Sequence, residues 1–187
     1  MADIGLRRVT PGANDNATGV ATLLSLAHWL AASPPARTRV ILVSAGSEES
    51  FMEGMVRYAE RHFPELPRDR TKVICVDTVG SPKLLLLLGE GMLGIRDYSP
   101  SFHSFLMDCA RDVGADVYDD LRFRNATDGL IALKAGFDAA MLGSADEYRI
   151  PTNYHWPTDT ADRVDYSTVA EAARLCARAI ERIDAGS

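Results

Sequence analysis

Five side chains carry the chemistry that this sequence offers: Asp15, Glu48, Glu49, Asp77 and His155. Asp15 sits in Thr10-Pro11-Gly12-Ala13-Asn14-Asp15-Asn16-Ala17-Thr18-Gly19, a glycine-flanked loop directly ahead of apolar residues at helical spacing. Glu48 and Glu49 follow the apolar run of residues 38–45, Asp77 lies near the end of the apolar run of residues 72–78, and His155 lies in the turn-rich loop of residues 148–157. Carboxylate oxygens with an imidazole nitrogen form a zinc ligand set of the kind that leaves a position open for water. Where two ions sit about 3.5–4 Å apart, one carboxylate must bridge them and another must take a proton from water. Asp15, on a short rigid loop, suits the bridge. Glu48 and Glu49 are neighbours on a turn and point in different directions, so one can bind metal while the other acts as general base. Taken singly, an aspartate ahead of a helix is often a cap, and a glutamate pair often favours a helix start. Asp77 resists such an explanation, because a carboxylate inside an apolar strand is costly unless paired or metal-bound.

The elements that must position these groups alternate along the chain. Residues 38–45 (TRVILVSA) and 72–78 (KVICVDT) are β-branched apolar runs that predict strands buried on both faces, residues 83–88 predict a further strand, and 139–142 a short one. Apolar periodicity predicts helices over residues 16–32, 51–62, 100–113, 128–135 and 165–183, the first stopped by Ser33-Pro34-Pro35. Alternating strands and helices imply an α/β fold, a three-layer α/β/α sandwich with a mixed, mainly parallel central sheet. Ligands gather at the carboxyl ends of the strands in such sheets, where these carboxylates fall. A length of 187 residues with 47% hydrophobic residues predicts one domain spanning residues 1–187.

The net charge of −6 argues against nucleic acid or an anionic membrane as partner, since both want a basic face. Three widely spaced cysteines, Cys75, Cys109 and Cys176, suggest neither a disulfide framework nor a cysteine zinc site. The longest apolar run, residues 84–88, is far too short to span a bilayer, and no signal-peptide pattern opens the chain. A cytoplasmic protein is expected.

Four blocks then combine into a resemblance. PGANDNATGV, GSEE with the following Gly54 and Tyr58, VDTVG, and NYHWPTDTADRVD resemble the signature blocks of the co-catalytic zinc exopeptidases, which include bacterial leucyl-type aminopeptidases, glutamate carboxypeptidases and glutaminyl cyclases. The blocks occur in the family's order and at similar spacing, from the first residues to about residue 165. The resemblance implies zinc, one or two ions, with Asp15 as bridging ligand, Glu49 and His155 completing one site, and Asp77 belonging to the other. It implies Glu48 as general base and Tyr154 as the donor that polarises the scissile carbonyl or stabilises the oxyanion. The implied activity is hydrolysis of a peptide or amide bond in a peptidyl or aminoacyl substrate, most like an aminopeptidase.

The sequence departs from the family at two places. The family carries a His-x-Asp motif about a dozen residues before the bridging aspartate; here Asp3 matches, where it would orient the metal region, but Met1 stands in the histidine's place. Thioether sulfur is a poor zinc ligand beside carboxylates. Strands that normally lead into this motif have no counterpart, so the chain reads as N-terminally shortened, and an edge strand left open invites a homodimer. The second departure is Asp128-Gly129, where the family has Asp-His. An incomplete second zinc site leaves two alternatives: a mono-zinc enzyme similar to the glutaminyl cyclases, and a catalytically silent domain that binds a peptide or a partner.

Overall fold

A computed structural model of the chain describes residues 2–3 and 8–186. A ribbon of β1 (Ala2–Asp3) and β2 (Arg8–Val9) is followed by an irregular turn, Ala13–Ala17, and helix α1 (Thr18–Ala32). Next come α2 (Glu53–His62), β3 (Lys72–Val76), β4 (Lys83–Leu86), β5 (Gly89–Glu90), β6 (Arg96–Asp97) and α3 (Pro100–Val113). The chain closes with β7 (Val117–Tyr118), β8 (Arg122–Phe123), α4 (Asp128–Lys134), β9 (Asp138–Ala145) and α5 (Tyr166–Ala185). The main sheet has the order β3-β9-β4-β7 and is mixed: β3 with β9 and β4 with β7 are parallel, β4 with β9 antiparallel.

The leucine run at residues 84–88 shows why this sheet is covered on both faces. Successive strand side chains point to opposite faces. Leu84 and Leu86 enter a core with Phe102, Leu106, Leu175 and Leu26 from α3, α5 and α1, while Leu85 and Leu87 enter a second core with Met55 of α2 and Ala132 of α4. Ala140 and Leu142 of β9 join the first core, Ala139 and Met141 the second. The expected three-layer α/β/α sandwich with a mixed sheet is therefore the observed fold, and the helices fall within a few residues of their expected bounds.

One strand expectation fails. Residues 38–45 form no strand, and Ile41 and Leu42 are 46% and 37% exposed rather than buried. The run is anchored at its start, where the Asp184 carboxylate accepts the amides of Ala36, Arg37 and Thr38 at 2.9, 2.7 and 2.7 Å. From there to residue 46 it has no ladder partner among the described residues. β-Branched composition reports fitness for a half-buried pleated surface, and such a surface requires a neighbouring strand. A second, smaller sheet, β6-β5-β8, lies outside the sequence expectations; its strands are two residues each, too short to leave a periodic signal.

Candidate metal centre

The polar residues around Asp15 fix its loop to two other segments, residues 76–81 and Thr152. Asn14 donates through its side-chain amide to Ser81 Oγ at 3.1 Å and to the Thr152 carbonyl at 3.2 Å, and its Oδ1 accepts the Gly80 amide at 2.7 Å. Asn16 Oδ1 accepts the amides of Gly19 and Thr78 at 2.9 and 3.1 Å, while its Nδ2 donates to the Val76 carbonyl at 3.2 Å. Thr18 Oγ1 donates to the Asn14 carbonyl at 2.6 Å and accepts the Val79 amide at 3.1 Å. Gly19 is required by this closeness: a Cβ there would stand 2.6 Å from the Val76 carbonyl oxygen. Asp15 does not cap α1; the cap position is Ala17, with no side-chain cap bond.

Glu48 and Glu49 occupy the turn leading to α2, and the chain is tightly folded there. Ser47, Phe51 and Met52 have φ of 58°, 60° and 58°, a left-handed conformation uncommon for residues with side chains. Gly54 lets this turn fold back on itself, since a Cβ would meet the Gly46 carbonyl oxygen at 2.0 Å. His155 shares the left-handed conformation, with φ 62°, and its ring stacks on Tyr154 with centroids 3.8 Å apart. Such strained residues persist only where surrounding structure holds them, and they cluster at functional sites.

Asp15, Glu49 and His155 converge, each with a ligand atom within 4.8 Å of the others. His155 Nε2 stands 3.4 Å from Asp15 Oδ2 and 3.6 Å from Glu49 Oε1. Bond lengths of about 2.0–2.1 Å in a tetrahedral zinc site place ligand atoms about 3.3 Å apart, so this spacing fits one ion. Asp15 Oδ2 is buried and has no hydrogen-bond partner among the described residues, an orphan that a cation would satisfy. Asp77 and Glu48 line the adjoining cavity together with Asp15 and Tyr154. Asp77 is 8% exposed and accepts from Thr78 Oγ1 at 2.9 Å, but it is not one of the three converging ligands. Met1 and the side chain of Asp3 lie outside the described residues.

Burial and mutual repulsion set the protonation of these groups. Burial, with Asp77 and Glu49 nearby, pushes Asp15 up to about 7. Burial, with the same two neighbours, pushes Glu48 up to about 8. Asp77 is raised by burial against the opposing hydrogen bond from Thr78, and Asp128 is pushed up to about 6 by burial and then by Asp77. Burial, followed by Asp15 and Glu49, holds the Tyr154 hydroxyl well above the ordinary tyrosine range, so it remains a donor. Carboxylates packed this closely favour a bound cation or a bound proton.

Two positioning residues lie beyond those singled out from the sequence. Asp159 is 2% exposed and accepts the amides of Asn14 at 2.7 Å and Asp15 at 3.1 Å through its two oxygens. It lies inside the NYHWPTDTADRVD block, so proximity to His155 was a usable signal. Glu90 is fully buried and accepts the Thr127 amide at 2.8 Å, Thr127 Oγ1 at 2.9 Å and the Tyr98 hydroxyl. Only the tertiary fold brings these partners together across residues 90–127.

The sequence model of peptidase family M28 matches residues 4–180. Solved structures similar to the chain include BSAP, a zinc aminopeptidase from Bacillus subtilis, with TM-score 0.75 and 23% identity over 92% of this chain and 42% of that one. LapB from Legionella pneumophila is similar with TM-score 0.79 and 17% identity, over 95% and 48%. A glutaminyl cyclase from an Acidobacteriales bacterium is similar with TM-score 0.72 and 18% identity, over 99% and 67%. At these identities the likeness speaks for the fold, and the chain spans less than half the length of the first two structures. A comparison with curated proteins finds no significant match.

Proposed function

The chain belongs to peptidase family M28, and on that premise we propose that it is a zinc-dependent exopeptidase of aminopeptidase type acting on a peptidyl or aminoacyl substrate. The observation that carries this reading is the convergence of Asp15, Glu49 and His155 around the orphaned Asp15 Oδ2. These three side chains would hold zinc, with Asp77 as the group toward a second ion. Zinc held there supplies Lewis acidity to a carbonyl oxygen and acidifies water. Glu48, on the wall of the same cavity, takes the proton of the attacking water and returns it to the leaving amine. The Tyr154 hydroxyl donates to the oxyanion as it develops. The strained turns at residues 47–52 and 153–155 hold these groups before substrate arrives.

A mono-zinc reading is favoured by one observation: only Asp15, Glu49 and His155 form a ligand cluster among the described residues. By the family resemblance this is also the ligand set of the glutaminyl cyclases, so cyclisation of an N-terminal glutamine with loss of ammonia is the second activity to assay.

Metal content after zinc loading and dialysis, measured by elemental analysis, tests both readings. About two zinc per chain supports the dizinc peptidase and about one the mono-zinc enzyme. No retained zinc defeats both and leaves a peptide- or partner-binding domain. Glu48→Gln is expected to retain metal and lose at least about 100-fold in turnover, the scale of general-base catalysis. Turnover unchanged with metal retained would reject that role.

A further inference from the structure

We propose that the flank formed by α1 and residues 38–45 is a self-association surface, on which a second copy of this chain pairs its own residues 38–45 antiparallel to these and packs its α1 alongside. This surface lies outside the cavity, and its test needs neither zinc nor turnover.

α1 and the run that follows it lie side by side. Asp15 just precedes α1, Glu49 follows the run, and ligand atoms of the two lie within 4.8 Å of each other. At the far end only residues 33–37 join helix and run. The run therefore returns over the whole length of α1, about 22 Å for its 15 residues, antiparallel to the helix and largely extended. Both elements are open on the outside. α1 packs against α5 on one side, and its outward face carries Ala17, Val20, Leu24, Ala27 and Ala31 at alternating spacings of three and four. All five are exposed, Val20 by 45% and Leu24 by 66%. In the run, Ile41 and Leu42 are both exposed although successive extended side chains point to opposite faces. Its backbone from residue 39 to 46 has no ladder partner among the described residues. Edges that stay single are blunted by proline, by lysine or by shortness. Residues 38–46 contain neither proline nor lysine, and Arg39 is their one charge.

Charge selects the occupant. The chain carries 26 acidic residues and a net charge of −6, so two copies repel each other over much of their surface. None of those acidic residues lies in residues 16–47, and the next longest acid-free stretch, residues 78–89, is less than half as long. α1 itself has no Asp, Glu, Lys or Arg. On this flank two copies meet without setting carboxylate against carboxylate. A two-fold axis uses the same patch on both copies, and antiparallel pairing centred on the run satisfies both edges at once while placing the two Arg39 side chains at opposite ends. Residues 16–47 hold only Arg37 and Arg39 as cations, too few for a nucleic acid or an anionic membrane.

Sedimentation equilibrium of the full chain across a wide range of concentration tests this. The mass of two chains is expected at high concentration, falling to one chain on dilution. Leu24→Glu and Ile41→Lys change positions that are already exposed, one on each element and with opposite signs of charge. Each brings like charges together across the two-fold axis and is expected to weaken association at least about tenfold. Leu93→Glu, in the turn between β5 and β6 and outside the flank, is expected to leave association unchanged; circular dichroism checks that all three fold. Amides of residues 39–46 are expected to exchange more slowly in the dimer than in Ile41→Lys protein at the same concentration. A single-chain mass throughout, a mass above two chains, dimers that survive either flank substitution, equal weakening by Leu93→Glu, or unslowed exchange of residues 39–46 in the dimer would overturn the proposal.

Discussion

Asp15 is positioned through its backbone, which leaves its carboxylate free for a cation. Asp159 receives the amides of Asn14 and Asp15, so this pair of bonds sets the direction in which Asp15 points. Asp159→Ala strips both buried donors of their partner, and each unpaired group costs about 1–3 kcal/mol. The variant is expected to lose that much stability for each donor, read as a lower denaturant midpoint, and to bind zinc about 10–100-fold more weakly, as removal of a ligand-orienting partner typically does. Denaturant titration and zinc competition against a chelator measure the two effects, and unchanged zinc affinity would remove Asp159 from the metal region. Residue identity made much of this site legible: Asp15, Glu49 and His155 converge, and Glu48, Asp77 and Tyr154 share the cavity wall. Asp159 and Glu90 stand out only in the folded chain, because an acidic residue among turn residues looks solvated until the fold buries it. Asn14, Asn16 and Thr18 likewise look like generic turn residues, although each closes a bond to residues at least 60 positions away.

At the scale of elements, continuous apolar runs placed β4 and β9 correctly because both faces of those strands meet helices. The same reasoning failed for residues 38–45, whose composition is at least as strand-like. Composition records what a segment could pair with, and pairing depends on a neighbour that the segment itself does not encode. Residues 39–46 accordingly carry backbone amides with no ladder partner among the described residues, next to a start pinned firmly to Asp184. Hydrogen exchange followed by mass spectrometry is expected to show fast exchange over residues 40–45 and strong protection over β9, which is bonded on both sides by β3 and β4. A homodimer formed along this run would slow those amides as protein concentration rises. Equal protection of the run and β9 in dilute solution would contradict an unpaired run.

Across the whole molecule, packing Asp15, Glu48, Glu49, Asp77 and Asp128 within electrostatic reach of one another makes stability depend on pH and on cations. Asp15, Glu48 and Asp128 have folded-state values pushed up to about 7, 8 and 6 from ordinary values of 3.8, 4.5 and 3.8. A carboxyl with a raised folded value binds its proton more tightly when folded, so between the two values the folded state holds more protons and stability falls as pH rises. For the metal-free protein the decline therefore begins near pH 4 and is complete just above pH 8. Most acid-labile proteins lose stability in the opposite direction over the lower part of this range, because their carboxylates are paired with cations. A cation bound among these groups takes over the role of the protons, adding about 2.7 kcal/mol at a free concentration 100 times its Kd. Thermal melts of chelator-treated protein from pH 5 to 9 are expected to show a falling Tm. Zinc-loaded protein is expected to show a flatter profile, separated from the metal-free one most widely at the alkaline end. A metal-free Tm that rises over that interval would mean that the cluster is solvated or internally paired, and the orphaned Asp15 oxygen would then no longer argue for a metal.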